Sequence, residues 1–114
     1  MKRIAYIILN YKTYLDTDRV VKEILSFGKE EDVIIIVDNC SPNESSQELH
    51  KLYDSVPNVD VIDSGENGGY AKGNNFGLRY AEQYNPEYVC IINNDVHFTS
   101  ETMDLLVGIY PNLP

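Results

Sequence analysis

The stretch Val33-Ile34-Ile35-Ile36-Val37-Asp38-Asn39-Cys40-Ser41 runs through β-branched residues without a polar break, then turns abruptly polar. A strand with water on one face alternates apolar and polar side chains. An unbroken apolar run this short therefore belongs to a strand covered on both faces. Such strands form the interior of parallel sheets, whose crossover helices lie on either side. The polar tail then marks the carboxyl end of the strand, where open parallel sheets bind ligands.

Three further short runs read as strands: Ile4–Leu9, Val59–Ile62 and Tyr88–Ile92. The first and last, like Val33–Val37, are nearly continuous in apolar residues and are expected to be covered on both faces. Helical periodicity fills the gaps. Thr17–Phe27 puts Val20, Val21, Ile24 and Leu25 on one face, with Asp16 or Thr17 as cap and Gly28 as stop. Ser45–Tyr53 turns Leu49 and Leu52 inward, capped by Ser45 or Asn43. Ala71–Tyr84 offers Phe76, Leu78 and Ala81 to a core and stops at Asn85-Pro86. A last helix is expected over Ser100–Tyr110. The order β-α-β-α-β-α-β-α predicts an α/β fold: a Rossmann-like parallel sheet with helices on both faces and right-handed crossovers.

Every strand empties into hydrogen-bonding residues. Strand one leads into Asn10-Tyr11-Lys12 and strand two into Asp38-Asn39-Cys40-Ser41. Strand three leads into Asp63-Ser64-Gly65-Glu66-Asn67-Gly68-Gly69, and strand four into Asn93-Asn94-Asp95. Taken singly, each is an ordinary turn or cap. In a parallel sheet all four meet on one edge, which a purely structural domain has little reason to build.

The segment Glu66-Asn67-Gly68-Gly69-Tyr70-Ala71-Lys72-Gly73-Asn74-Asn75-Phe76-Gly77 leads from a strand into a helix. Its small residues admit close backbone approach, its asparagines donate and accept, and a helix N-terminus suits phosphate. It is not a Walker loop, since no Gly-Lys-Ser/Thr ends it. It is not a dinucleotide fingerprint either, since it follows strand three rather than strand one.

Four segments together carry a resemblance. Ile8-Leu9-Asn10-Tyr11, Val37-Asp38-Asn39-Cys40-Ser41, Glu66–Gly77 and Ile92-Asn93-Asn94-Asp95-Val96 resemble family 2 glycosyltransferases in order and spacing, most of all the bacterial rhamnosyltransferase-like members. The resemblance spans essentially the whole chain. It implies a GT-A fold, a nucleotide-diphospho-sugar donor (a UDP- or dTDP-sugar), a divalent metal (Mn2+ or Mg2+) and inverting transfer to a saccharide or lipid-linked acceptor in cell-surface polysaccharide biosynthesis. Carried over, Leu9, Asn10 and Tyr11 line the base pocket. Asp38 accepts a hydrogen bond from the base, with Asn39 beside it. Asn67, Gly69 and Lys72 approach ribose or diphosphate. Asn93, Asn94 and Asp95 fill the Asp-x-Asp position, with Asp95 the metal ligand.

The chain departs from the family pattern in ways that matter. Asn93 replaces the first carboxylate, so weak metal binding is expected until a nucleotide adds its phosphates. Lys12 stands where many relatives have asparagine, and Asn43 where aspartate is common, which leaves the donor base open. Lys72 adds a charge where a small residue is frequent, either to meet phosphate or as a solvated helix residue. The general base that inverting transfer requires is expected beyond residue 114. Residues 1–114 then form the donor-binding portion and stop before the acceptor region. His97 and His50 read as a strand-edge and a surface histidine, and Asp63 and Glu66 as loop structure.

Composition narrows the alternatives. With 18 acidic against 9 basic residues and a net charge of -9, the 114-residue chain repels polyanions, so nucleic acid is not an expected partner. A 43% hydrophobic and 24% charged chain has enough apolar surface for a single core. Cys40 and Cys90 read as reduced thiols, no run approaches the ~18 apolar residues of a membrane span, and a cytoplasmic location is expected, with the inner membrane face as one option. Self-association through an unpaired sheet edge or apolar face is a further expectation. The competing reading is a non-enzymatic nucleotide-binding or interaction module derived from a transferase. A receiver domain lacks its acidic pair at Asn10-Tyr11, and a sugar-nucleotide pyrophosphorylase lacks its Gly-rich basic loop after strand one.

Overall fold

A computed structural model describes residues 3–95. The last expected helix, Ser100–Tyr110, and His97 lie outside the described residues. Within them the chain forms β1 (Ile4–Asn10), α1 (Tyr14–Phe27), β2 (Val33–Asp38), α2 (Ser45–Tyr53), β3 (Val59–Asp63), α3 (Tyr70–Ala81), a 3-10 turn (Glu82–Tyr84) and β4 (Tyr88–Asn93). The four strands are all parallel, in the order β3-β2-β1-β4.

That order is a doubly wound one. The chain steps outward from β1 to β3, then returns past β1 to lay down β4. With right-handed crossovers, a reversal of direction puts the later helix on the opposite face. Accordingly Ile4, Tyr6, Ile8, Ile34 and Ile36 pack under Val20, Val21 and Ile24 of α1 and Leu49 and Tyr53 of α2. Ala5, Ile7, Val33, Ile35 and Val37 face the other way, with Ala81 and Leu78 of α3. The two apolar layers explain why β1 and β2 need no polar residue until their ends.

The register aligns those ends. Asn10 pairs with Asp38 and Asp38 with Asp63, while Leu9 pairs with Asn93. A polar row thus crosses the sheet at its carboxyl edge.

Several local expectations need correction. α1 starts at Tyr14 with Thr13 at the cap position, so neither Asp16 nor Thr17 caps it; Thr17 is fully buried. Its buried stripe is Thr17, Val20, Val21 and Ile24, and Leu25 falls off the edge into solvent. Leu52 and Phe76 are likewise exposed rather than core. On α3 the buried positions are Gly73, Asn74, Gly77 and Ala81, because this helix lies too close to the sheet for larger side chains. Strand β4 is not covered on both faces. It is a sheet edge among the described residues, and Ile91 is 42% exposed. Gly28 does end α1, but with extended backbone (φ -67) rather than a left-handed cap. The cap position of α2 is Glu44 rather than Ser45 or Asn43, although Asn43 Oδ1 accepts the Ser45 N–H at 3.0 Å just before the helix.

Candidate functional site

The reversal of strand order lies between β1 and β4, and there the strand ends part to leave a crevice. A cleft of about 220 Å3 opens at that point, lined by Leu9, Tyr11, Thr13, Tyr70, Asn93, Asn94 and Asp95. Five of these, Leu9, Tyr11, Asn93, Asn94 and Asp95, are expected site residues. Thr13 and Tyr70 come from the first turns of two helices and are not legible as site residues in the sequence.

A buried polar network joins the ends of β1 and β2 to α1 and α2. The Asn10 amide donates to Asp38 Oδ1 at 2.9 Å and to Ser45 Oγ at 3.0 Å. Thr17 Oγ1 donates to Asn10 Oδ1 at 2.7 Å. Asp38 is only 1% exposed. Its carboxylate also receives the Ser41 hydroxyl at 2.7 Å and the Ser41 backbone N–H at 2.9 Å. A buried anion is costly unless hydrogen bonds replace its water, and these donors do so. Asn10 and Asp38 therefore form a buried polar floor to the strand exits.

The strand exits are locked to one another above that floor. Ser41 Oγ accepts the Lys12 N–H at 2.9 Å, and Asn43 donates to the Lys12 carbonyl at 3.2 Å. Lys12 and Cys40 hold positive φ values of 66 and 61, at matching places in the β1 and β2 exits. Left-handed backbone at a non-glycine residue costs about 1–2 kcal/mol, so tertiary contacts hold both turns. The Lys12 ammonium lies 5.1 Å from the Tyr11 ring centroid, within cation–π range.

Asn39 joins this floor to the glycine-rich loop. It is buried, and its amide donates to Asn67 Oδ1 at 3.1 Å and to the Gly69 carbonyl at 3.4 Å. Ser64 Oγ lies 3.0 Å from Asn39 Oδ1. Gly69 adopts φ 90 at the start of α3, a conformation that suits glycine, and no side chain caps that helix. Lys72 is exposed and sits 3.8 Å from Glu66 in a loose ion pair over the loop. Asn74 is buried, and its Oδ1 has no partner among the described residues.

At the β4 end, Asn93 and Asp95 are exposed on the cleft. The Asn94 side chain turns back into the protein, donating to Thr13 Oγ1 at 2.8 Å and Thr17 Oγ1 at 3.0 Å. The structure thus brings together Leu9, Tyr11, Asn93, Asn94 and Asp95 at the cleft. Asn10, Asp38 and Asn39 are buried at the β1 and β2 ends, with Asn67, Gly69 and Lys72 on the loop after β3 and on α3. Among the described residues, no three His, Cys, Asp or Glu side chains gather to hold a metal ion.

Comparison with known proteins decides the family. The model described as glycosyl transferase family 2 matches residues 6–110. The chain belongs to glycosyl transferase family 2. It is 32% identical over 108 residues to a low-salt glycan biosynthesis hexosyltransferase of Haloferax volcanii, covering 94% of this chain and 32% of that protein. It superposes on S. aureus TarS, solved with UDP-GlcNAc, at a TM-score of 0.66 and 26% identity, covering 93% of this chain and 30% of the other. It also superposes on a mannosyltransferase from Pyrobaculum calidifontis, solved with GDP-Man and Mn2+, at a TM-score of 0.74 and 19% identity, covering 92% and 30%. This last likeness bears on the fold alone. The family 2 chain spans about a third of the length of these relatives.

Proposed function

We propose that this family 2 glycosyltransferase chain binds the nucleoside-diphosphate part of an activated sugar, as the donor-binding portion of an inverting, metal-dependent transferase. The observation that carries the reading is the crevice between the β1 and β4 exits, where Asp95 stands exposed beside Asn93 and Tyr11 and Tyr70 brings in the start of α3. The base and ribose lie toward Leu9, Tyr11 and the Asn39–Asn67 contact, and the diphosphate toward Asp95 and the first turn of α3. Among the described residues no side chain caps the N–H groups of that turn, which favours phosphate oxygens.

Charge argues for a cation. The chain carries a net charge of -9, and the carboxylate at the cleft would repel a diphosphate. Asp95 carboxylate and Asn93 amide oxygens are hard ligands that suit Mn2+ or Mg2+, which complete their shells with phosphate and water. When bound, the ion offsets charge on the departing nucleoside diphosphate. The chain's own residues orient and hold: the Asn10–Asp38 floor fixes the exits, and Lys72 is free to swing toward the phosphates. The cleft is smaller than the roughly 300–1,000 Å3 of sites that enclose a ligand, so the described residues cover only part of a donor. Transfer to a saccharide or lipid-linked acceptor and a place at the inner membrane face are proposed at the level of the whole transferase.

A thermal-shift panel of UDP, dTDP, GDP and CDP, each with and without Mn2+, tests the reading. At least one nucleotide should raise the melting midpoint, by linkage, and Mn2+ should enlarge that shift. Asp95→Asn should abolish the Mn2+-dependent part and keep the rest. No shift with any nucleotide would overturn donor binding.

A further inference from the structure

Thr17 was legible only as a helix cap, and no role in the proposed site follows from its sequence position. In the structure it is fully buried in α1 and its hydroxyl is used twice. It donates to Asn10 Oδ1 at 2.7 Å and accepts from the Asn94 amide at 3.0 Å. A threonine inside a helix commonly bonds back to the carbonyl one turn earlier. Here that carbonyl, of Thr13, takes the Thr17 backbone N–H, and the side chain turns to the strand ends instead.

The bonds form a directed chain. Asn94 donates to Thr17, Thr17 to Asn10, and Asn10 to the buried Asp38 carboxylate. All donors point toward one anion, an arrangement in which each bond polarises the next. The chain spans the crevice, linking the end of β4 to the ends of β1 and β2. Asn94 is held on a second side as well. Its amide donates to Thr13, one helical turn before Thr17, and its carbonyl accepts from Arg19 at 3.1 Å. Asp95 is the next residue, so the position of its carboxylate follows from how Asn94 is anchored.

We propose that Thr17 is a positioning residue for the diphosphate end of the site: its hydroxyl ties Asn94, and through it Asp95, to the buried Asn10–Asp38 pair. The proposal rests on the nucleotide-binding reading above and adds to it a route by which α1 sets the metal ligand. Asn94 accordingly acts as an anchor, with its amide spent on the protein rather than on the donor.

The test is the ratio of nucleotide affinities with and without Mn2+, measured by calorimetry on the 114-residue chain with whichever of UDP, dTDP, GDP and CDP shifts it most. Thr17→Val keeps the shape and removes both bonds. It should cut the Mn2+-dependent gain about five- to tenfold, the worth of a buried hydrogen bond or slightly more, with a smaller loss in metal-free affinity. Thr17→Ser, which keeps the hydroxyl, should restore the gain. A valine variant that loses stability yet keeps the wild-type ratio would reduce Thr17 to a packing residue and overturn the proposal. So would failure of serine to rescue. If valine does not fold, Thr13→Ala removes the other acceptor of the Asn94 amide at an exposed position and should lower the same ratio; an unchanged ratio there overturns it too. A wild-type chain that binds nucleotide with no gain from Mn2+ would instead defeat the metal reading itself, which the wild-type arm reveals before any variant is compared.

Discussion

Gly77 illustrates how a missing side chain sets the distance between layers. A Cβ built there would lie 2.7 Å from Ile7 Cγ2 and 2.9 Å from Val37 Cγ2. Both neighbours are fully buried and β-branched, so neither can swing away. In an exposed helix, Gly→Ala gains about 1 kcal/mol from propensity. Overpacking a tight core costs about 1–3 kcal/mol, and at this position the clash should win. Gly77→Ala should therefore lower stability by about 1 kcal/mol or more in urea denaturation, whereas Gly68→Ala, whose Cβ meets the movable Cδ of Lys72 but also its Cβ at 3.1 Å, should cost less than Gly77→Ala. A stable Gly77→Ala protein would mean that α3 rides higher on the sheet. At this scale the sequence had pointed to larger residues: Phe76 looked like a core position, but α3 buries its glycines and leaves Phe76 exposed. Periodicity identifies a helical face but not how near that face lies to the sheet.

Between elements, the attachment of α2 to the end of β3 is ionic. Asp63 receives the Ser46 hydroxyl at 2.6 Å and faces His50 Nε2 at 3.1 Å, while His50 Nδ1 meets Asp54 at 2.8 Å. His50, which reads as a surface residue in sequence, is partly exposed and lies between two carboxylates. Burial alone would lower its pKa, but the Asp54 and Asp63 carboxylates outweigh that and raise it above 6.5. A raised folded-state pKa gives stabilisation that is complete below 6.5 and lost as pH rises through the folded value. The melting midpoint of the wild type should thus exceed that of His50→Gln by more at pH 6 than at pH 8.5, and the difference should shrink in high salt because the group is largely solvated. A difference that stays constant with pH would show that His50 is held for packing alone. Asp63 opens the loop that carries Asn67 and Gly69, so this clasp also bears on the shape of the site.

For the whole molecule, the sheet order determines which residues are shielded together. Cys90 points into the α1–α2 side of the sheet and burial pushes its thiol up to about 11, while Cys40 is free and exposed on the β2 exit. A thiol reagent at pH 8 should label one cysteine in the native protein and two in denaturant, since the thiolate is the reactive form. Native labelling of both would place β4 outside the cooperative core. Much of this architecture is legible in the sequence: the unbroken runs Ile4–Leu9 and Val33–Val37 are buried on both faces and polar exits follow each run, so the parallel α/β sheet and its polar edge come from local pattern. Pattern is blind to sheet order, and hence to β4 being an edge with Ile91 exposed. It is equally blind to which polar residues of the edge are buried and which are exposed. Asn10 and Asp38, read as site residues, are buried and bonded to Thr17, Ser41 and Ser45. The sequence by itself determined the layers and the edge, because burial periodicity is a local property of the chain. Only the tertiary structure decided the crevice, the buried Asn10–Asp38 pair and the Thr17 link, because hydrogen bonds between residues 7 to 77 positions apart exist only once the strands are in register.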